Sequence, residues 1–213
     1  KSFCAGADLK AISRRENLFH PQHPEWGFAG YVRHFIDKPT IAAVHGAVRG
    51  GGCGIVAACD IAIASRSATF RLSEVKIGVG PAMISPYVIG AIGERQARRY
   101  MLSGEEFDCA EAWRIGLVHD LVEEEQLATR VGEMLGQLYS SGPKAGHAIK
   151  QLIPHSAHSP IGAGIVSETA KVIADIRATP EAQEGLTAFL EKRKPSWTVP
   201  PKTKSAAKGK KKN

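Results

Sequence analysis

Three short segments carry residue types that could do chemistry together. The first is a turn of small residues at positions 4–8, the second is the glycine run at positions 50–52, and the third is Glu74. A glycine turn at the start of a helix directs backbone N–H groups at one point, where they stabilise a developing negative charge. Two such turns beside one carboxylate predict an oxyanion hole served by a general acid or base.

Each of these segments also has a purely structural interpretation. Ala/Gly turns and glycine triplets more often serve sharp turns or close packing. A single glutamate such as Glu74 is more often a solvated surface carboxylate. Each segment alone is therefore weak evidence for a site.

Strands, turns and helices alternate around these segments, which predicts an α/β architecture. The predicted strands are short and apolar and cover residues 40–44, 60–64 and 68–72. Helical spacing of apolar residues predicts helices over 9–17, 27–37 and 53–59, and Asp8 can cap the first of them. Beyond Pro86 the chain is predicted to be mainly helical, over residues 89–92, 94–103, 109–115, 126–140, 161–177 and 180–192.

The composition is typical of an ordinary globular protein. The chain has 213 residues, of which 43% are hydrophobic and 23% charged. No apolar run approaches the roughly 18 residues of a membrane-spanning helix, and the polar start does not resemble a signal peptide. We therefore expect a cytoplasmic protein that makes no membrane contact.

The net charge of +7 comes from the end of the chain. Six lysines lie in the last twelve residues, which leaves 22 basic and 21 acidic groups in the remainder. Residues 198–213 are rich in Lys, Pro, Ala and Gly and cannot bury enough apolar surface to offset their ordering entropy. This Lys-rich tail is interpreted as a solvated extension, with contact to nucleic acid as the less favoured alternative.

The cysteines and histidines do not indicate a metal centre. The four cysteines form no Cys-x-x-Cys pair and have no histidine at a zinc-like spacing. We expect reduced structural thiols, no metal and no bound cofactor.

The order of the motifs resembles the crotonase (enoyl-CoA hydratase/isomerase) family. The resemblance lies in Phe-x-Ala-Gly-Ala-Asp-Leu at residues 3–9, Ile-Ala-Ala-Val-x-Gly-x-x-x-Gly-Gly-Gly at 41–52, Cys-Asp-Ile-x-x-Ala at 59–64 and Glu-x-x-x-Gly at 74–78. It implies a spiral of ββα units followed by a C-terminal helical region that assembles trimers, often paired into hexamers. It also implies a core at residues 1–125, whose N-terminal strands are missing from this chain, and a helical trimerisation region at 126–197.

The same resemblance implies an acyl-CoA substrate, whose coenzyme A belongs to the substrate and is not a separate cofactor. The backbone amides of Ala5 and Gly51 would bind the thioester oxygen, and Glu74 would act as the general acid or base beside the α-carbon. Substrate contacts would come from Ala5, Gly6, Ala7, Asp8 and Gly51. Addition of water to an enoyl thioester passes through an enolate-like state, and backbone donors suit the charge on its oxygen.

One position departs from the family pattern and leaves two reactions open. Two-carboxylate hydratases of the family carry a second glutamate where this chain has Gly54. An isomerase needs only one carboxylate, so Gly54 favours double-bond isomerisation. Residues 52–56, 72–76, 84–88 and 97–100, however, resemble the bacterial methylglutaconyl-CoA hydratases, which also tend to have glycine there.

We therefore favour a hydratase for a branched or carboxylated enoyl-CoA such as methylglutaconyl-CoA, as in the breakdown of leucine or of acyclic terpenes. An isomerase is the first alternative, and a non-catalytic scaffold or RNA-binding homologue is the second. A carboxylated acyl chain would need a cation or a wet pocket. Arg49, Arg71 and Lys76 are the candidates, although each is more often a surface charge.

Overall fold

The structure, a computed structural model, describes residues 2–17 and 19–198. It divides into two compact units, Lys1–Gly136 and Gln137–Asn213. The division falls eleven residues after the one predicted from the sequence. No helix among the described residues is long and apolar enough to cross a membrane. Apart from Thr198, the predicted Lys-rich tail lies outside the described residues.

The first unit contains two sheets of short strands. The strands are β1 (Ser2–Cys4), β2 (Ile41–Val44), β3 (Ala47–Arg49), β4 (Ile61–Ser65), β5 (Thr69–Arg71), β6 (Glu106–Asp108) and β7 (Asp120–Val122). One sheet has the order β1-β3-β5-β6 and the other has the order β2-β4-β7. All pairings are parallel except that of β5 with β6.

The strand residues explain the pairing. β2 and β4 are apolar runs that align from Ile41 opposite Ile61 to Val44 opposite Ala64. Four of the five residues of β4 are buried, as expected for a strand covered on both faces. In the other sheet Phe70 of β5 lies opposite Phe107 of β6, and the stacked rings stabilise this antiparallel pair.

The helices of the first unit are α1 (Leu9–Ser13), α2 (Gly51–Ala58), α3 (Ser85–Ser103), α4 (Cys109–Arg114) and α5 (Leu127–Ser140), of which α5 runs past the division. Of these, α2 and α4 contact strands of both sheets. Short 3-10 helices cover Pro24–Trp26, Phe28–Gly30, Glu74–Ile77 and Glu124–Gln126. α2 is apolar and buried over most of its length, so its glycines and small side chains let the strands and α3 approach closely.

The second unit is helical. Beyond the end of α5 it contains α6 (Pro143–Ala157), α7 (Ala163–Arg177), α8 (Pro180–Leu190) and a 3-10 turn at Ser196–Thr198. Each of the three helices contacts the other two. Trp197 lies against Gly185 and donates its indole N–H to the carbonyl oxygen of Ser140 at 3.2 Å.

Several large apolar side chains of the second unit remain in contact with solvent. Ile161 is 97% exposed, Phe189 81% and Leu190 79%. These values are high for residues of this type in one unit. The unit therefore presents an apolar surface that the described residues do not cover.

Some sequence-based elements were wrong. The predicted helix at residues 27–37 is a single 3-10 turn, Phe28–Gly30, in which Ala29 has a φ of 58°. The two helices predicted at 89–92 and 94–103 are one element, α3, with a non-helical Gly93. α6, β1, β3, β6 and β7 were not predicted; α6 contains Pro154, and the strands are only three residues long.

Candidate active site

The first small-residue turn joins β1 to α1. Gly6 has a φ of 90°, a conformation that favours glycine, and an added Cβ would lie 3.2 Å from the carbonyl oxygen of Arg49. Asp8 is the N-cap of α1, as predicted, and accepts hydrogen bonds from the N–H groups of Lys10 at 2.9 Å and Ala11 at 3.1 Å. The turn is thereby held at a fixed angle, with Ala5 between the strand and the capped helix.

The glycine run forms the second turn, at the start of α2. Gly50 is the N-cap with a φ of 52°, and its N–H donates to the carbonyl oxygen of Arg71 at 2.8 Å. Gly51 is the first residue of the helix. Its N–H therefore has no acceptor inside the helix and is available to a ligand at the positive end of the helix dipole.

Close packing brings the two turns together. A Cβ added to Gly52 would lie 2.7 Å from the Cβ of Cys4, and Cys4 is paired with Val48 across β1 and β3. Ala5 follows Cys4 and Gly51 precedes Gly52, so the two predicted amide donors belong to backbone segments in direct contact. The structure thus brings together the two turns that the sequence analysis linked by order alone.

Glu74 lies against the second turn. It begins the 3-10 helix that follows β5, and its Oε1 would be 3.0 Å from a Cβ added to Gly50. Its Oε2 is buried and has no hydrogen-bond partner among the described residues. Burial raises the pKa of this carboxyl above its ordinary value, because a low-dielectric surrounding disfavours the charged form. A carboxyl with a raised pKa and an unsatisfied oxygen suits a proton-transferring group.

The position of the family's second carboxylate is closed. A Cβ added to Gly54 would lie 2.2 Å from Cγ2 of Ile84 and 2.5 Å from its Cβ. Ile84 is the N-cap of α3 and is almost fully buried. Only glycine fits at residue 54 while isoleucine occupies residue 84.

A pocket of about 300 Å³ lies beside Phe28. Its lining residues are Ile12, Arg15, Glu16, Asn17, Phe19, Phe28 and Met83. The ring of Phe28 also lies over Gly51, within 2.3 Å of the point where a Cβ would stand. One wall of the pocket is therefore in contact with the residue whose amide is predicted to bind the thioester oxygen.

Two of the three cations predicted to meet an acyl carboxylate are engaged elsewhere. Arg49 donates to Glu106 at 2.6 Å and to the carbonyl oxygen of Thr69 at 3.0 Å. Arg71 donates to the carbonyl oxygen of Gly104 at 2.8 Å. The stem of Lys76 lies along Gly104. None of the three lines the pocket, whereas Arg15 does.

Phe28, Ile84 and Arg15 were missed as site residues by sequence reasoning. Phe28 was assigned to the buried face of a helix that does not form. Ile84 was noted only as part of a motif, and the contact with Gly54, thirty residues earlier, carries no local signal. Arg15 was placed within a predicted helix, and its pocket depends on residues as far away as Met83.

With this geometry established, comparison with known proteins identifies the family. The sequence profile described as enoyl-CoA hydratase/isomerase matches residues 1–200. Mevalonyl-coenzyme A hydratase sidH of Aspergillus fumigatus is 35% identical, over 92% of this chain and 74% of that protein. Crotonyl-CoA hydratase of Syntrophomonas wolfei is 33% identical, over 92% of this chain and 76% of that protein.

Solved structures agree. An enoyl-CoA hydratase/isomerase (crotonase) from Legionella pneumophila is 41% identical with a TM-score of 0.79, over 92% of this chain and 78% of that one. An enoyl-CoA hydratase from Shewanella pealeana is 39% identical with a TM-score of 0.82, over 92% of this chain and 75% of that one. The chain belongs to the enoyl-CoA hydratase/isomerase family and has the crotonase fold. These two predictions are confirmed, as is the prediction of a hydratase-type lyase.

Proposed function

We propose that this protein adds water to a 2-enoyl-CoA thioester, with the amides of Ala5 and Gly51 as the oxyanion hole and Glu74 as the proton-transferring carboxylate. The observation that carries the proposal is the buried, unpartnered Oε2 of Glu74 beside the glycine turn. No cofactor beyond the substrate's own coenzyme A is required. Residues 5–8 and Gly51 supply the contacts to the thioester.

The chemistry needs little more than these groups. Glu74 takes a proton from water while the water oxygen bonds to the β-carbon, and the electron pair of the double bond moves toward the thioester oxygen. The two amides stabilise the resulting negative charge. Protonation of the α-carbon by Glu74 then restores the carboxylate and completes the addition.

A single carboxylate also suits an isomerase, which is the second candidate. The observation in its favour is that Ile84 closes the place of a second carboxylate. Hydration is favoured because relatives whose similarity to this chain extends over more than 90% of its length are named as hydratases of enoyl-, crotonyl- and mevalonyl-CoA. In the hydratase, Glu74 must both hold the water and move the proton.

The acyl chain is proposed to be branched or carboxylated, as in methylglutaconyl-CoA. Residues 84–88 and 97–100 resemble the methylglutaconyl-CoA hydratases, and the mevalonyl-CoA hydratase relative is named for a branched acyl group. The 300 Å³ pocket beside Phe28 offers room for such a group next to the thioester. A role in leucine breakdown in the cytoplasm is part of the same proposal.

We further propose a trimer or hexamer. Its support is the apolar surface of the second unit, where Ile161, Phe189 and Leu190 are largely exposed. Burial of such side chains contributes to association in proportion to the apolar area removed from water.

A panel of thioesters tests the function. Wild-type protein should hydrate crotonyl-CoA and 3-methylglutaconyl-CoA, and Glu74→Gln should lower both rates by about 100-fold or more. Glu94→Gln is the matched control, since Glu94 is an exposed carboxylate paired with Arg98. Conversion of 3-enoyl to 2-enoyl thioesters without hydration would establish the isomerase instead.

The scaffold or RNA-binding alternative makes a different forecast. Removal of residues 199–213 should leave turnover unchanged if the protein is an enzyme whose tail is an appendage. A folded chain that turns over no enoyl thioester and loses a binding activity with the tail would overturn the proposed function.

A further inference from the structure

We propose that Arg15 binds a carboxylate at the far end of the acyl chain, so that the preferred substrates are enoyl-CoA thioesters of dicarboxylic acids. The proposal rests on the proposed function for the acyl-CoA chemistry. Beyond that function, it assigns selection of the acyl group to Arg15.

The pocket is placed to receive the acyl chain. The ring of Phe28 forms one of its walls and lies over Gly51, the proposed oxyanion residue. The proposal places the acyl chain of a thioester bound at Gly51 along Phe28 and in this pocket. Ile12, Phe19 and Met83 supply further apolar wall, which suits hydrocarbon.

Arg15 brings an uncompensated positive charge to this apolar pocket. Glu16 also lines the pocket, but its carboxylate is paired with the neighbouring Arg14 at 2.5 Å. Asn17, also in the lining, uses its Oδ1 to accept the N–H of Phe19 at 2.9 Å. The side chain of Arg15 forms no ion pair or hydrogen bond within residues 2–17 and 19–198. Because Arg15 is exposed, its guanidinium stays hydrated until a ligand supplies an anion.

The chemistry of the lining favours a carboxylate on a hydrocarbon chain. Arginine binds a carboxylate through two parallel hydrogen bonds, a geometry that a single guanidinium can satisfy. A phosphate of coenzyme A carries more charge and would need several donors. The pocket offers one guanidinium, beside apolar side chains, Asn17 and a Glu16 carboxylate that is already paired with Arg14. Two other guanidinium groups were considered for this role. Arg49 is bound within the β3-β5-β6 sheet, and Arg71 is bound to the carbonyl oxygen of Gly104 at the end of α3.

Binding of two saturated thioesters tests the proposal without requiring turnover. Glutaryl-CoA ends in a carboxylate, and hexanoyl-CoA is a neutral chain of similar length. Arg15→Met should weaken glutaryl-CoA by about tenfold or more, the effect of losing a hydrogen bond between charged groups. Its affinity for hexanoyl-CoA should stay within about twofold of wild type, which also shows that the variant is folded. Arg15→Lys should retain part of the preference because it keeps the charge.

Arg98→Met is the control, because Arg98 is an exposed arginine paired with Glu94 and neither residue lines the pocket. It should leave both affinities unchanged. Equal weakening of glutaryl-CoA, hexanoyl-CoA and free coenzyme A in Arg15→Met would assign Arg15 to the coenzyme and overturn the proposal. Unchanged affinity for glutaryl-CoA would overturn it as well.

The two proposals fail separately. If crotonyl-CoA is hydrated in a Glu74-dependent reaction but Arg15→Met does not discriminate between the thioesters, only the Arg15 proposal is wrong. If glutaryl-CoA binds through Arg15 but no enoyl thioester is hydrated, the hydratase proposal is wrong and the assignment of Arg15 stands.

Discussion

The side chain of Ile84 stands where a side chain on Gly54 would have to begin, with its Cγ2 2.2 Å and its Cβ 2.5 Å from that point. Although the two residues are thirty positions apart, the side chain of Ile84 leaves no room for any side chain at residue 54. The contact gives a steric reason for the absence of a second carboxylate at residue 54, beside the two turns proposed to form the oxyanion hole. It also changes what a test of that missing group must include.

Gly54→Glu alone should fail to add a catalytic group. We expect it to lower the free energy of unfolding by roughly 1 to 3 kcal/mol, because the new side chain overpacks a buried contact. Urea denaturation measures this loss.

The double variant Gly54→Glu with Ile84→Gly removes the obstruction, whereas Ile84→Ala would keep the Cβ at 2.5 Å. Crotonyl-CoA hydration by the double variant should exceed that of Ile84→Gly alone, because a second carboxylate can then activate the water. Equal rates in the two proteins would show that the added carboxylate does not reach the water.

Glu74→Gln should gain stability relative to wild type as the pH rises. The folded-state pKa of Glu74 is raised by burial, so the unfolded chain releases this proton at a lower pH than the folded one. Folding stability of the wild type therefore falls as the pH increases from the ordinary glutamate value to the raised one. Glutamine does not titrate.

The measurement is urea denaturation of both proteins from roughly pH 4 to 8. The difference in free energy of unfolding between Glu74→Gln and wild type should grow in favour of the variant over this window. A difference that shrinks with pH would mean that the folded protein stabilises the charged carboxylate.

The role of the Gly51 amide is best tested in a protein whose Phe28 has been replaced by a smaller residue. Any Cβ at Gly51 meets the Phe28 ring at 2.3 Å, so Gly51→Pro in wild type would confound a lost N–H with a clash. In a Phe28→Ala background, Gly51→Ala keeps the N–H and Gly51→Pro removes it. Proline is tolerated at the first position of a helix, which is where Gly51 lies.

Turnover of the Gly51→Pro protein should fall by about 100-fold or more relative to the Gly51→Ala protein, the usual effect of losing one oxyanion donor. Circular dichroism checks that α2 survives in both. Similar rates in the two folded proteins would remove Gly51 from the oxyanion hole.

The oligomer should depend on the exposed apolar residues of α8. Phe189 and Leu190 are 81% and 79% exposed, and their replacement by Ser and Lys should convert a trimer or hexamer to smaller species in light scattering. Lys171→Ser is a matched control on α7, where Lys171 is paired with Asp175. A wild-type monomer at micromolar concentration would disprove the assembly.

Local chemistry made part of this structure predictable. The capping of α1 by Asp8 followed from an aspartate directly before a helical pattern, and the buried strand β4 followed from its continuous apolar run. The glycine run was correctly placed at the start of α2. In each case the deciding interaction is within a few residues of the chain.

Contacts between segments that are distant along the chain could not be predicted from local sequence patterns. The apolar spacing at residues 28–36 predicted a helix, but the segment forms only a 3-10 turn at Phe28–Gly30. The ring of Phe28 in this turn lies over Gly51. The strand β1 exists only through its pairing with β3. The pocket joins Ile12, Arg15 and Phe19 to Met83, and no periodicity connects them.

The first residues of α2 make this region a case of strong mutational epistasis. Gly51, Gly52 and Gly54 each abut a different partner, namely Phe28, Cys4 and Ile84. A substitution at any one of these glycines is neutral only after its particular partner has become smaller. We therefore expect larger residues at these three positions to be accepted only together with a smaller residue at the partner position.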